Sequence, residues 1–402
     1  MLLVGSGGRE HALAWKLAQR SGIELHAAPG NPGIAALGDC HPVRAEDGEA
    51  LLGLARSLDV ELVVVGPEAP LVAGVADELR HAGIAVFGPG RDAARIEGSK
   101  AFAKDVMRAA RVPTAEALAV ARPPCVVKAD GLASGKGVFV CRSTAELDEG
   151  LRAAAAFPGP LVIEELLEGE EVSLFALSDG RDVIPLAPAQ DFKRIGNGDL
   201  GPNTGGMGSY SPVPLLEPGA LEELVELVHR PVIAELARRG AHFVGVLFAG
   251  LMLTDDGPKV LEFNCRFGDP ETQSLVPRLD GDLAAALMAA AGGDLAGVEL
   301  GVSESAAVTI VLAGADYPAR QDHGTAIEGV DAAEELGALV FHAGTARHGD
   351  RLVTNGGRIL NVTGTGHSIT AARELAYAAC ARISFAGARY RTDIALAAAG
   401  IA

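Results

Sequence analysis

The chain has 402 residues, enough for two or three domains with ample buried core, and 49% of them are apolar, which argues against a disordered protein. A net charge of −18 speaks against nucleic acid or an anionic membrane as main partner, because counterion release needs clustered Lys and Arg. Five scattered cysteines (Cys40, Cys125, Cys141, Cys265, Cys380) without a C-x-x-C argue against a disulfide frame or a zinc site and suggest buried thiols in a reducing compartment.

The opening MLLVGSGGREHAL has too short an apolar run for a signal peptide, and the longest apolar stretch, 243–253, falls short of a membrane span. A soluble, cytoplasmic protein is expected. Strands are predicted at 1–4, 23–28, 61–66 and 84–88, and helices at 9–20, 47–58 and 71–82. Such alternation implies a parallel sheet with right-handed crossovers.

Three glycine-bearing segments fall at strand ends of that sheet: GSGGRE (5–10), PGNPG (29–33) and GPE (66–68). Backbone amides at a helix start, helped by the helix dipole, make an anion seat. A tight turn without ligand and a dinucleotide site are the competing readings. The dinucleotide reading is weak, because position 10 is Glu10 and Glu24 opens the second strand instead of ending it. A small phosphorylated ligand is therefore favoured, with Gly5, Gly7, Gly8, Arg9, Glu10, Gly30, Asn31, Pro67 and Glu68 as candidate contacts.

A helix is predicted within 98–114, ending before Pro113, and short strands and helices follow to about 187. VVKADGLASGKGV (126–138) resembles a P-loop only superficially. Gly131 and Gly135 are one residue too close, and Gly137 stands where Ser or Thr would bind magnesium. What remains is a glycine-rich, lysine-bearing loop. Lys104, Lys128 and Lys136 would by default be solvated, but Lys128 ends an apolar strand and needs an anionic partner, which a nucleotide phosphate would supply.

LVIEELLEGEEVSLFAL (161–177) reads as two strands around an acidic bend, either a solvated turn or a nucleotide hinge. In the hinge reading Glu165 and Leu167 lie near an adenine edge and Glu171 accepts from ribose hydroxyls. The polar stretch 191–212 reads as a long functional loop. A helix at 218–239 is followed by a hairpin, FVGVLFAGLML and KVLEFNCRF, joined by TDDGP.

In KVLEFNCRFGDPE (259–271), strand alternation puts Glu262, Asn264 and Arg266 on one face, with Leu261, Phe263 and Cys265 toward the core. A carboxylate, an amide oxygen and a guanidinium together suit a hard cation that holds phosphates, with Arg266 on the transferred phosphoryl group. A surface salt-bridge ladder is the alternative. The last hundred residues read as β-rich, closed by a helix at 368–383. Ten spread histidines show no metal-binding spacing, and no G-x-S-x-G or Cys–His signature supports a covalent nucleophile.

Together these segments resemble the phosphoribosylamine–glycine ligases (glycinamide ribonucleotide synthetases), purine-biosynthesis members of the ATP-grasp superfamily. The resemblance rests on GSGGREHAL (5–13), PGNPG, VGPEAPLVAGVAD (65–77), GSKAFAKD (98–105), VVKADGLASGKGV and EELLEGEEVSL (164–174). NTGGMGSYSP (203–212), EFNCRFGDPETQ (262–273), VFHAGT (340–345) and VTNGGRILNVT (353–363) extend it over essentially the whole chain. Two departures stand out: the first strand is a residue or two short at its start, and Phe192 replaces a usual His.

The resemblance implies α/β and α+β domains. These are a Rossmann-like substrate-phosphate domain at 1–98, an ATP-grasp domain at 99–303 with a small mobile lobe at about 119–187, and a β-rich domain at 304–402. It implies ligation of glycine to 5-phosphoribosylamine with ATP and Mg2+ (or Mn2+), another ATP-grasp carboxylate–amine ligase being the alternative. A monomer acting on small molecules is expected. Metal ligands carry over to Glu262 and Asn264, and catalytic roles to Arg266 and Asp269. ATP contacts carry over to Lys104, Lys128, Glu165, Leu167 and Glu171, under a phosphate lid of Gly131, Ser134, Gly135, Lys136 and Gly137. Asp191, Thr204, Gly205, Gly206 and Met207 are candidates for holding glycine, with Asn203 a further candidate substrate contact.

Overall fold

Leu2, Leu3 and Val4 are completely buried, and successive residues serve different cores. Leu2 and Val4 join Val63, Val65 and Leu51 on one face, while Leu3 joins Leu13, Leu17 and Val64 on the other. A strand covered on both faces belongs to a parallel sheet. The computed structural model, which describes residues 1–132, 137–157, 159–217 and 219–400, shows that sheet as five parallel strands. Their order is Asp39–Cys40, His26–Pro29, Leu2–Gly5, Val63–Val65, Val86–Phe87. Each Val or Leu so buried stabilises the fold by about 1.5–3 kcal/mol before chain entropy is counted.

Two helices expected as single rods are each broken. Gly74, at φ +95°, separates Glu68–Ala73 from Val75–His81, and Val228 separates Ala220–Leu227 from His229–Arg238. The predicted helix within 98–114 is Lys100–Ala110, capped by the Ser99 hydroxyl, which accepts from the Phe102 amide at 3.2 Å.

The middle of the chain builds two antiparallel sheets. The small one orders Val138–Cys141, Cys125–Ala129, Leu161–Glu165 around its own cluster of Cys125, Val127, Cys141, Leu147 and Ala154. The larger one orders Val183–Pro185, Glu170–Asp179, Val244–Thr254, Gly257–Asn264. Phe175, Leu177, Val246 and Phe248 of the larger sheet share a core with Leu3 of the first sheet, Leu13 of the helix Gly8–Leu17 and Leu287 of the helix Leu283–Gly292.

The stretch 191–212 is not a structureless loop. Arg194–Gly196 and Leu200–Asn203 form a two-stranded ribbon, and Gln190–Asp191 and Gly208–Ser211 enter the C-terminal sheet. That sheet continues with Ala306–Ala313, Arg358–Gly366 and Leu339–His342, backed by the helix Ile369–Cys380. Its residues therefore come from both sides of position 300. Among the described residues no helix is long and apolar enough to cross a membrane.

Candidate active site

The site is built where these layers meet. At the first sheet's strand ends, the Gly7 amide donates to Glu10 Oε2 at 2.6 Å, and Arg9 Nε pairs with Glu10 Oε1 at 2.5 Å. Gly5 makes room for that carboxylate: at φ +130°, a Cβ there would sit 2.6 Å from the Glu10 carboxyl carbon. One amide of the expected anion seat is thus already engaged by Glu10. Gly8 opens the helix Gly8–Leu17 beside Gln273 and Asn361. Arg9 is buried, donates to the Phe267 carbonyl at 3.2 Å and lies 3.9 Å from Glu68.

Asn31 acts as a latch. Its amide nitrogen reaches the Ser6 carbonyl at 2.9 Å and the His342 carbonyl at 2.8 Å, and its oxygen accepts from the Gly33 and Ile34 amides. Gly30 donates to the Gly5 carbonyl at 3.1 Å. A cleft of about 390 Å³ opens between these loops, lined by Gly5, Gly7, Arg9, Arg44, Pro67 and Asp269. Arg44, which sequence reasoning passed over, has a side chain 83% exposed that lies 3.8 Å from Asp47. A larger cleft, about 620 Å³, lies away from this chemistry along Asp77, Arg91 and His242.

At the nucleotide end, Lys104 and Lys128 converge on one buried carboxylate, Glu164, at 2.5 and 2.6 Å. The anionic partner expected for Lys128 is thus supplied by a protein side chain. Lys104 also donates to Thr114 Oγ1 at 2.8 Å and to the Ala115 carbonyl, and burial lowers its pKa against the pull of Glu164. Lys128 also donates to the Leu261 carbonyl at 2.9 Å. Glu165 accepts from the Glu116 amide and pairs with Lys259 at 2.9 Å, and Leu167 is buried.

The near end of the glycine-rich loop is anchored. Asp130 accepts from the Lys100 amide at 2.5 Å, and Lys100 Nζ donates to the Gly131 carbonyl at 3.1 Å. The Gly137 carbonyl accepts from the Ala129 amide at 2.8 Å. Ser134, Gly135 and Lys136 lie outside the described residues.

Between the two ends runs the strand Gly257–Asn264. Its alternation holds from Glu262 onward, with Phe263 and Cys265 buried. It fails at Leu261: Gly250 pairs with Glu262 and Leu251 with Val260, so Leu261 is the extra residue of a bulge and is only half-buried. Arg266 is held by two carboxylates, Glu68 at 3.2 Å and Glu97 at 3.0 Å, and donates to Asn264 Oδ1 at 3.2 Å. Burial opposes its charge, but Glu97 and Glu68 raise its pKa. Burial likewise works against the Glu68 carboxylate, yet Arg266 and Arg9 lower its pKa to about 2.

Facing this strand is a carboxylate-rich wall. Glu171 pairs with Lys193, which lies 3.9 Å from Asp191. Burial pushes Asp191 up to about 6, with Lys193 opposing and Glu171 and Glu262 adding to the shift. Burial and the neighbouring Asp191 also raise Glu271. Among the described residues no group of three or more His, Cys, Asp or Glu side chains forms a metal cage. Glu262 and Asn264 offer one carboxylate and one amide oxygen, which fits a cation that keeps waters and binds substrate phosphates.

The C-terminal sheet closes the site. Thr204 donates its hydroxyl to the Lys193 carbonyl at 2.8 Å and accepts from the Gly206 amide at 3.0 Å. Met207 is fully buried, Asn203 pairs with Arg194 in the ribbon, and the Gly205 amide donates to the Tyr317 hydroxyl. Phe192 turns to the other face, 4.9 Å from the Arg391 guanidinium and beside Tyr210. Asp269 pairs with Arg358 at 2.9 Å. Glu164, Lys193, Glu97 and Arg358 were all missed as single residues, although Glu164 and Arg358 lie inside segments that carried the resemblance.

The family model for phosphoribosylglycinamide synthetase matches in three parts: its N domain over residues 1–97, its ATP-grasp (A) domain over 98–272 and its C domain over 307–397. The phosphoribosylamine–glycine ligase of Streptomyces coelicolor is 53% identical, covering 100% of this chain and 99% of that protein. That of Mesorhizobium japonicum is 47% identical, covering 98% and 97%. The crystal structure of phosphoribosylamine–glycine ligase from Thermotoga maritima superposes with a TM-score of 0.83 at 34% identity, covering 98% of this chain and 99% of that one. A biotin carboxylase domain from Hydrogenobacter thermophilus shares the fold alone, with a TM-score of 0.72 at 18% identity over 97% of this chain and 91% of that one.

Proposed function

The chain belongs to the phosphoribosylglycinamide synthetase family, and on that premise we propose that it joins glycine to 5-phosphoribosylamine. The products are glycinamide ribonucleotide, ADP and phosphate. The protein is an ATP-dependent ligase of purine biosynthesis that acts on small molecules with ATP and a divalent cation.

A carboxylate is a poor acyl donor, so glycine is first activated. A glycine carboxylate oxygen takes the γ-phosphoryl group of ATP, ADP departs, and glycyl phosphate forms. The phosphoribosylamine nitrogen then attacks the acyl carbon, the carbon–oxygen bond to phosphate breaks, and the amine loses a proton. These steps demand positioning and charge neutralisation, not a protein nucleophile.

The residues divide accordingly. Lys104 and Lys128 leave Glu164 for the ATP phosphates, and the Glu165–Leu167 segment and Glu171 hold the nucleoside. Glu262 and Asn264 would hold the cation, magnesium or manganese, which when bound supplies charge neutralisation to the phosphates. Arg266, oriented by Glu68 and Glu97, faces the transferred group. The cleft between Gly5, Gly7, Arg9, Pro67 and Asp269 takes phosphoribosylamine, with Arg44 reaching its phosphate. All five cysteines are free, which favours a cytoplasmic location.

The observation that carries this reading is the course of the strand Gly257–Asn264. Its Leu261 carbonyl meets Lys128 at 2.9 Å, and five residues on, Arg266 meets Glu68, which opens the helix after the strand Val63–Val65, at 3.2 Å. The nucleotide end and the substrate cleft are thus joined by at most about 17 Å of extended chain. Chromatography of a reaction holding ATP, magnesium, glycine and fresh phosphoribosylamine tests it, with alanine and serine as competing substrates. Glycinamide ribonucleotide formed only with glycine is expected; well-folded protein that forms none overturns the assignment.

A further inference from the structure

The Arg358 guanidinium stands where three segments meet. Nη2 pairs with Asp269 Oδ2 at 2.9 Å. Nη1 donates to the Asp269 carbonyl at 2.8 Å, to the Gly206 carbonyl at 3.4 Å and to the Gly205 carbonyl. The second Asp269 oxygen, Oδ1, accepts from Gln273 Nε2 at 2.8 Å, so both carboxylate oxygens are fixed.

This contact gives the C-terminal sheet a hold on the chemistry. Arg358 is the first residue of the strand Arg358–Gly366, and its side chain is 19% exposed. The loop it grips has no slack: Gly206 lies at φ +104°, where a Cβ would fall 2.3 Å from Pro270 Cδ. The opposite side of the same loop is pinned by the Tyr317 hydroxyl, which accepts from the Gly205 amide at 3.0 Å. Asp269 itself lines the cleft with Gly7 and Arg9.

Neither Gly205 nor Gly206 spends both carbonyl lone pairs on Arg358, and a carboxylate has acceptor capacity beyond two bonds. Asp269 is thus an oxygen acceptor on the cleft wall, held in register by one planar fork that a lysine could not replace. Its natural ligand is a small primary amine, which offers N–H donors and gives up a proton on attack.

We propose that Arg358 is a positioning residue that orients Asp269 toward the attacking amine of phosphoribosylamine. The proposal rests on the ligase reading above. When the amine is misplaced, glycyl phosphate waits and reacts with water instead, returning glycine and phosphate. Loss of Arg358 therefore uncouples phosphate release from product formation.

The test compares wild type, Arg358→Ala and Arg358→Lys for phosphate and glycinamide ribonucleotide released, and for kinetics in each substrate. Wild type should release one phosphate per product. Arg358→Ala should release clear excess phosphate, with kcat/KM for phosphoribosylamine down roughly 10- to 100-fold and the KM for ATP within about threefold. Guanidinium ion should restore part of the coupling. Arg358→Lys should lie between, and it keeps the test open if the alanine variant unfolds. Wild-type coupling and kcat/KM in a folded variant would overturn the inference, as would an equal loss in every substrate without uncoupling. A wild type that makes no glycinamide ribonucleotide would instead overturn the ligase reading, and this inference with it.

Discussion

Lys128 and Glu164 form a 2.6 Å ion pair in which the side chains are 9% and 2% exposed. Glu164 also holds Lys104 at 2.5 Å, so one carboxylate serves the two cations assigned to ATP. Removing one partner of a buried pair costs about 3–5 kcal/mol, because the other charge is left without compensation. Glu164→Ala should therefore lower the melting temperature markedly. ATP phosphates supply the missing anion, so saturating ATP should raise the melting temperature more in this variant than in wild type. An equal ATP shift in both proteins would separate Glu164 from the nucleotide site.

Glu262 is the cleaner test of the proposed cation site. Its side chain enters no ion pair among the described residues, so Glu262→Ala should lower kcat about 10²- to 10³-fold with little change in melting temperature. Arg266→Ala should lose activity similarly but also stability, because Glu68 and Glu97 are left buried beside an empty space. Turnover and thermal melts on both variants check this. Wild-type turnover in Glu262→Ala would remove the strand Gly257–Asn264 from the site.

Acid should act through Glu68. Its folded-state pKa, about 2, lies below the ordinary 4.5 because Arg266 and Arg9 outweigh the cost of burial. The stabilisation is complete above about pH 4.5 and is lost as pH falls through about 2. Glu68→Gln should flatten the acid limb of a stability profile measured by denaturant titration. A limb identical to wild type would assign acid sensitivity elsewhere.

Glu271 should act in the opposite direction. Burial and Asp191 raise its pKa above 4.5, to about 8, so its ionisation weakens the fold as pH rises from about 4.5 to about 8. Glu271→Gln should remove that loss, making the variant relatively more stable near about pH 9 than near about pH 5. Parallel profiles for the two proteins would contradict it.

Much of the fold was legible because short apolar runs bounded by glycine allow few alternatives. LLVG, VVV and the crossover helices read directly as a parallel sheet. The face carrying Glu262, Asn264 and Arg266 followed from strand alternation alone. Leu261 escaped because a bulge adds one residue without any local mark in the sequence. The segment 190–211 escaped because its strands are two to four residues long, too short for periodicity. Glu164, Glu97 and Arg358 were illegible as site residues because their partners are 36 to 169 positions away in sequence, and only the folded chain brings them together.

The central claim is that glycine is activated as an acyl phosphate in this site. Glycine labelled with oxygen-18 in its carboxylate, supplied with ATP, magnesium and fresh phosphoribosylamine, tests it through the mass of the phosphate released. The carboxylate oxygen that accepts the γ-phosphoryl group leaves with phosphate, so one label should appear in each phosphate formed alongside glycinamide ribonucleotide. Product formed with unlabelled phosphate would contradict the acyl-phosphate route.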